Sequence, residues 1–151
     1  MLRVSRRFTV DRSPAEVYDF LVDFTNTERW DPGTIRTTRI DDGPLEVGAR
    51  FHNVSEFRGR QTELDYELSH TEAGRHLVFT GRNKTVTSTD DLTFTPDGSS
   101  TSITYAATFD FHGVAALVAP FLRSSLERLA DRTVAQMTGV LNSLPAGGGT
   151  P

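Results

Sequence analysis

The chain has no cysteine among its 151 residues, which excludes disulfide frameworks, thiolate metal sites and cysteine nucleophiles. It has no surplus of positive charge either. Sixteen Lys and Arg face twenty Asp and Glu, a formal net charge of −4, so nothing attracts nucleic acid or an anionic membrane in general. Long hydrophobic runs are also missing: the longest, Val114 to Ala119, falls far short of the roughly 20 residues that cross a bilayer. Stable membrane insertion is therefore not expected. Met1 to Val10 alternates polar with apolar residues and lacks the continuous core of a signal peptide, which leads us to expect a cytoplasmic protein. The triplets Asn53-Val54-Ser55 and Asn83-Lys84-Thr85 carry no weight as glycosylation sites without secretion.

Burial potential is plentiful, with 36% apolar residues and ten Phe, too much for a disordered chain. At this length one core is expected. The expectation is one domain over residues 1–144, followed by a disordered Gly- and Pro-rich tail, 145–151. Leu2, Val4, Phe8 and Val10 share a two-residue period, the pattern of a strand with one buried face. Ser13-Pro14-Ala15-Glu16 follows as a helix start, with Ser13 as N-cap and Glu16 reaching back. That helix is expected to run to about Asp23. Thr25-Asn26-Thr27-Glu28 opens a second, short helix that must stop near Trp30, because Pro32 disfavours helical geometry at Asp31.

From Thr34 the pattern turns to six short β-type runs: Thr34 to Asp41, Ala49 to Phe57, Gln61 to Ser69, His76 to Arg82, Thr85 to Thr95 and Thr101 to Phe111. Turn-forming residues separate them. A helical stretch with Leu122, Leu126, Leu129, Thr133 and Met137 on one stripe then runs to about Leu144. Pro120 must kink that helix or begin it anew. An antiparallel sheet must bury one face against such a helix, so the strand phases name the interior. They place Phe51, Asn53, Ser55 and Phe57 inward on one strand and Leu64 and Tyr66 on the next. Phe79, Ser88 and Asp90, Tyr105 and Phe109 follow on later strands. Polar groups thus spot an apolar interior, with Arg6 a further candidate, and buried polar groups require partners. The arrangement describes a small-molecule cavity. Small inward residues, Ser55, Gly81, Ser88 and Ala107, are expected to leave its space.

The order of strand, two short helices, six strands and long helix resembles the helix-grip fold of the START-like, birch-pollen-allergen-like (SRPBCC) superfamily, over nearly the whole chain. Ser13-Pro14-Ala15-Glu16-Val17-Tyr18-Asp19-Phe20, Asp23 with Trp30 and Pro32, Val47-Gly48-Ala49-Arg50-Phe51, and Ala119-Pro120-Phe121-Leu122-Arg123 carry the likeness. Within it the chain looks most like the bacterial polyketide cyclase/dehydrase and lipid-transport group. The resemblance implies an α+β fold, a seven-stranded curved antiparallel sheet around a long C-terminal helix with two short helices after strand 1. It further implies a deep cavity for a hydrophobic or aromatic molecule, without fixing a reaction.

The ligand-binding set expected from phase and resemblance is Trp30, Phe51, Asn53, Ser55, Phe57, Leu64, Tyr66, Phe79, Ser88, Asp90, Tyr105 and Phe109, roofed by Leu122, Leu126 and Leu129. Trp30 has a competing role as a core plug. No metal site is expected: His52, His70, His76 and His112 show neither four-residue helical nor two-residue strand spacing. No elbow, phosphate loop or dinucleotide fingerprint appears, and no cofactor is expected. Catalysis, if present, falls to Asp90 with Tyr66 and Tyr105, since a carboxylate in an apolar cavity suits proton transfer. Three functions follow: binding or carriage of a hydrophobic or aromatic small molecule, a polyketide cyclase/dehydratase working in the same cavity, and a partner-binding regulatory module.

Overall fold

The computed structural model describes residues 1–145; of the expected tail, all but Pro145 lies outside the described residues. Strand β1 (Leu2–Val10) leads to helix α1 (Pro14–Leu21), a 3-10 turn (Phe24–Asn26) and the single-turn helix α2 (Thr27–Trp30). Six strands follow: β2 (Thr34–Arg39), β3 (Arg50–Phe57), β4 (Arg60–Glu72), β5 (His76–Arg82), β6 (Val86–Asp97) and β7 (Ser100–Phe111). Helix α3 (Arg123–Asn142) ends the fold. All seven strands form one antiparallel sheet in the order β1-β7-β6-β5-β4-β3-β2. The sheet is a meander closed at one edge by the first strand, with α3 on its apolar face.

The expected start of α1 is present in full. Ser13 Oγ accepts from Glu16 N at 3.2 Å and the Glu16 carboxylate accepts from Ser13 N at 3.1 Å, satisfying two backbone donors the helix leaves open. Ser13→Ala is expected to lower the urea midpoint by an amount worth about 1 kcal/mol while leaving cavity binding intact; an unchanged midpoint would show that the cap contributes nothing. The helix stops at Leu21, short of the expected Asp23, because Asp23 caps the next turn: its Oδ1 accepts from Thr25 N at 3.0 Å. β2 likewise ends at Arg39 rather than Asp41, whose carboxylate accepts from Arg39 Nε at 2.6 Å and Arg50 N at 3.0 Å.

Pro120 breaks the C-terminal stretch where its missing donor requires. Two 3-10 turns, Gly113–Leu117 and Ala119–Leu122, precede α3, and they leave Val114, Leu117 and Phe121 exposed. α3 then buries Leu126, Ala130, Thr133, Met137 and Leu141, a stripe at helical spacing. Its flank is fastened to the edge strand β1 by Arg6, which reaches Glu127 at 2.9 Å and Asp131 at 2.7 Å. Arg6 is thus a clamp on the helix, not a cavity residue. Among the described residues no helix is long and apolar enough to cross a membrane.

Candidate functional site

Between the sheet and α3 lies a cavity of ≈170 Å³. Its wall holds Asn53, Ser55 and Phe57 of β3, Leu64 and Tyr66 of β4, Ser88 and Asp90 of β6, Tyr105 and Phe109 of β7, and Leu126 and Leu129 of α3. Four expected lining residues stand elsewhere. Phe51 and Phe79 pack on Phe24 with ring centroids 5.8 and 4.3 Å away, and Trp30 meets Phe24 and Tyr105 edge-on at 6.3 and 6.4 Å. This aromatic layer supports the wall from behind; Trp30, 1% exposed, is the core plug. Leu122 packs against the core just before α3. The space has a different origin from the one expected of Gly81, whose missing side chain makes room for the Tyr66 ring: a Cβ there would stand 2.6 Å from Tyr66 Cε1 and Cζ.

The inward polar groups divide into two sets. Asn53 Nδ2 donates to Thr37 Oγ1 at 2.8 Å and Thr34 Oγ1 at 3.1 Å, while Asn53 Oδ1 accepts from Ser55 Oγ at 2.5 Å. Thr37 Oγ1 continues the chain to Thr27 Oγ1 at 2.6 Å, which bonds Phe24 O at 2.7 Å. These bonds satisfy buried groups that would otherwise cost roughly 1–3 kcal/mol each, and tie β3 and β2 to the short helices. Asn53 and Ser55 therefore serve structure first.

The second set is free to act. Asp90 is buried, and Tyr105 Oη donates to its Oδ1 across a long 3.4 Å. Loss of water pushes the Asp90 carboxyl up to about 7, the negative charge of Asp31 adds to the rise, and the Tyr105 bond opposes it. Burial also raises Tyr66, to which the charge of Asp90 adds. Tyr105 is raised by the same two causes in the same order. Both phenols are neutral donors at physiological pH. Asp31, absent from the expected set because Asp31-Pro32 reads only as a helix stop, lines the cavity with its loop neighbour Gly33. Burial raises its carboxyl too, against bonds from Gly33 N at 3.0 Å and Thr34 Oγ1 at 2.9 Å and the charge of Arg132. Val86, Phe111, Thr62, Glu56 and Thr133 complete the wall.

A neighbouring hollow of ≈420 Å³ shares Glu56, Phe57 and Leu129 with the cavity and adds Pro32, Arg58, Ser125, Arg128 and Arg132. Arg58 Nη1 and Arg128 Nη2 both donate to Ser125 Oγ, at 2.9 and 3.2 Å. A chamber lined by the buried Asp90 carboxyl and the buried Tyr66 and Tyr105 phenols thus adjoins a guanidinium-rich hollow. Such a site can bind a ring, polarise a carbonyl through a neutral acid or phenol, and move a proton at Asp90.

The sequence matches the model of the family described as polyketide cyclase / dehydrase and lipid transport over residues 1–141. Solved structures of the same fold include a START superfamily protein from Mycobacterium smegmatis, 12% identical with a TM-score of 0.78, covering 95% of this chain and 99% of that one. An aromatase/cyclase from a Streptomyces species is 14% identical with a TM-score of 0.74 and covers 99% of both chains. A Thermus thermophilus protein gives 11% identity and a TM-score of 0.77 over 93% of this chain and 97% of that one. No curated protein matches the sequence. With its helix-grip architecture and a match that spans all seven strands and nearly all of α3, the chain belongs to the polyketide cyclase/dehydrase and lipid transport family.

Proposed function

We propose that this protein binds a compact hydrophobic or aromatic molecule of one or two rings, with a hydrogen-bonding group at its inner end. The observation that carries the reading is the pairing of an apolar-walled chamber with Asp90 and Tyr105 at its polar end. Size decides between ligand classes. An apolar cavity of about 150 Å³ accommodates benzene, so ≈170 Å³ suits a small ring system and is too little for a two-chain lipid. Carriage needs no more than this fit. 2-Naphthol supplies two rings and one hydroxyl, and fluorescence titration is expected to show one saturable site. Tyr105→Phe should weaken it several-fold, in line with the loss of one hydrogen bond worth about 1 kcal/mol. Leu129→Trp, at a half-buried position shared by the cavity and the adjoining hollow, should abolish it with the fold intact. Absence of saturable binding, or binding indifferent to Leu129→Trp, would overturn the reading.

A second reading has its own observation. A carboxyl held near 7 beside a neutral phenol is matched to acid/base work at physiological pH, which a cyclase or dehydratase of polyketide-like substrates requires. Asp90 would take the proton next to a carbonyl while Tyr105 and Tyr66 polarise oxygen. A rate that follows ionisation of a group near pH 7 and disappears in Asp90→Asn distinguishes turnover from carriage.

A further inference from the structure

On the sheet face opposite α3, a side-chain cluster plays no part in the cavity. His70 Nε2 lies 2.9 Å from Glu72 Oε2, and His76 Nδ1 lies 3.5 Å from the same oxygen. One nitrogen of each ring and one Glu72 oxygen all fall within 4.8 Å of one another. On the far side of its ring, His76 Nε2 meets Asp91 Oδ1 at 2.8 Å. Strands β4, β5 and β6 supply these residues.

A β-bulge makes the cluster. Leu68 pairs with Phe79 but His70 pairs with Val78, so Ser69 is an extra residue in β4. Leu64, Tyr66 and Leu68 are buried on the inward phase; without the extra residue His70 and Glu72 would continue that phase into the core. The bulge turns them outward. Glu72 then stands directly opposite His76, and Asp91, opposite Val78 on β6, falls beside them. Spacing between histidines could not show this, because His70 and His76 come together across β4 and β5.

We propose that His70, Glu72 and His76 form a binding site for a borderline divalent transition metal such as Zn²⁺, with Asp91 positioning His76. The donor chemistry fits: two imidazoles and one carboxylate suit zinc, cobalt and nickel and not the hard oxygen-seeking cations. Geometry fits as well. A tetrahedral zinc with bonds of about 2.0–2.1 Å sets its ligand atoms about 3.3 Å apart, and the observed 2.9 and 3.5 Å bracket that value. With an ion in place, Asp91 Oδ1 at 2.8 Å is positioned to accept the Nε2 proton of His76 and free the Nδ1 lone pair for the metal; a carboxylate behind a ligating histidine is the usual outer partner of zinc. Three protein ligands leave a fourth position for solvent.

Another histidine of the same face shows what an ion-pair site looks like. His52 meets Asp65 through Nδ1 at 2.6 Å and Glu63 through Nε2 at 2.7 Å, so each nitrogen has its own carboxylate and no single ion can replace both contacts. Those two carboxylates raise the imidazole's pKa and favour its charged form. His70 and His76 instead direct nitrogens at one shared oxygen.

The test uses the untagged full chain after treatment with a chelator, titrated with ZnCl₂ by calorimetry and with CoCl₂ in the visible spectrum. One equivalent of zinc is expected to bind, cobalt is expected to give the intense bands of a four-coordinate centre, and zinc should raise the melting temperature. His70→Ala and His76→Ala are each expected to remove the cobalt spectrum and the zinc-dependent rise in melting temperature. Asp91→Asn should weaken zinc by about ten- to a hundredfold, and His52→Ala should change neither readout. Circular dichroism establishes that the variants are folded, as half-exposed positions permit. No stoichiometric binding, or binding that survives both histidine changes, would overturn the site. An Asp91→Asn variant with wild-type affinity would overturn the positioning role.

Discussion

Asp90→Asn is expected to make the protein more stable than the wild type at pH 8 and to leave it nearly unchanged at pH 4. The carboxyl is held at about 7 in the fold against an ordinary 3.8. Between those values the folded chain keeps a proton that the unfolded chain has released, so stability falls as pH rises through the interval. The contribution is whole below 3.8 and lost above about 7. About three pH units at roughly 1.36 kcal/mol each give a loss of up to about 4 kcal/mol, which a neutral amide of the same shape does not incur. Ligand binding should move the opposite way, because the amide of the variant offers neither the carboxylate nor the acidic proton that the cavity presents. Asp91→Asn is the control. Asp91 stands on the outward phase beside His76, and its change should leave 2-naphthol binding untouched. Urea midpoints measured from pH 4 to pH 8 decide it: parallel profiles for wild type and Asp90→Asn, or equal binding losses in the two variants, would mean that Asp90 is not the polar anchor.

Where the chain alternates strictly, the sequence shows the site. Asp90 and Asp91 are adjacent acids with opposite environments, and the period shared by Val86, Ser88 and Leu92 assigns Asp90 inward. Tyr105 and Tyr66 follow from the same rule, and the Pro120 break follows from proline's missing donor. The rule stops where phase alone does not determine distance. Arg6 is on the inward phase, but on β1 at the sheet's edge that phase meets the flank of α3 and its acids. Asp31 lies in the loop between α2 and β2, where no period applies, and still lines the cavity. Phe51 and Phe79 point inward at a level already filled by Phe24 from the 3-10 turn. At Ser69 one extra residue reverses the phase and creates the histidine cluster, a local event that no periodic pattern announces.

Gly81→Ala is expected to destabilise the protein and to close the cavity, although alanine ordinarily improves a strand interior. Gly81 pairs with Tyr66 across β4 and β5, and the Tyr66 ring lies on the bare backbone so closely that a methyl would stand 2.6 Å from Cε1 and Cζ and 2.8 Å from Cδ1. Backbone does not yield, so the ring must move by roughly 1 Å to regain ordinary carbon contact at about 3.5–4.0 Å. Phe24 blocks one side, its ring centroid 4.6 Å from that of Tyr66 and 4.3 Å from that of Phe79. The remaining way out is the cavity. Overpacking of this kind costs about 1–3 kcal/mol, and a phenol swung into ≈170 Å³ excludes a ring-sized ligand. The sign of the effect therefore depends on the ring and not on the glycine. In a Tyr66→Ala background the added methyl should be neutral or stabilising, a non-additivity expected only of residues in direct contact. Denaturation of the four chains, wild type, both single variants and the double variant, measures it. A cost that persists without the tyrosine ring would assign the effect to the strand backbone, and the cavity would then owe nothing to Gly81.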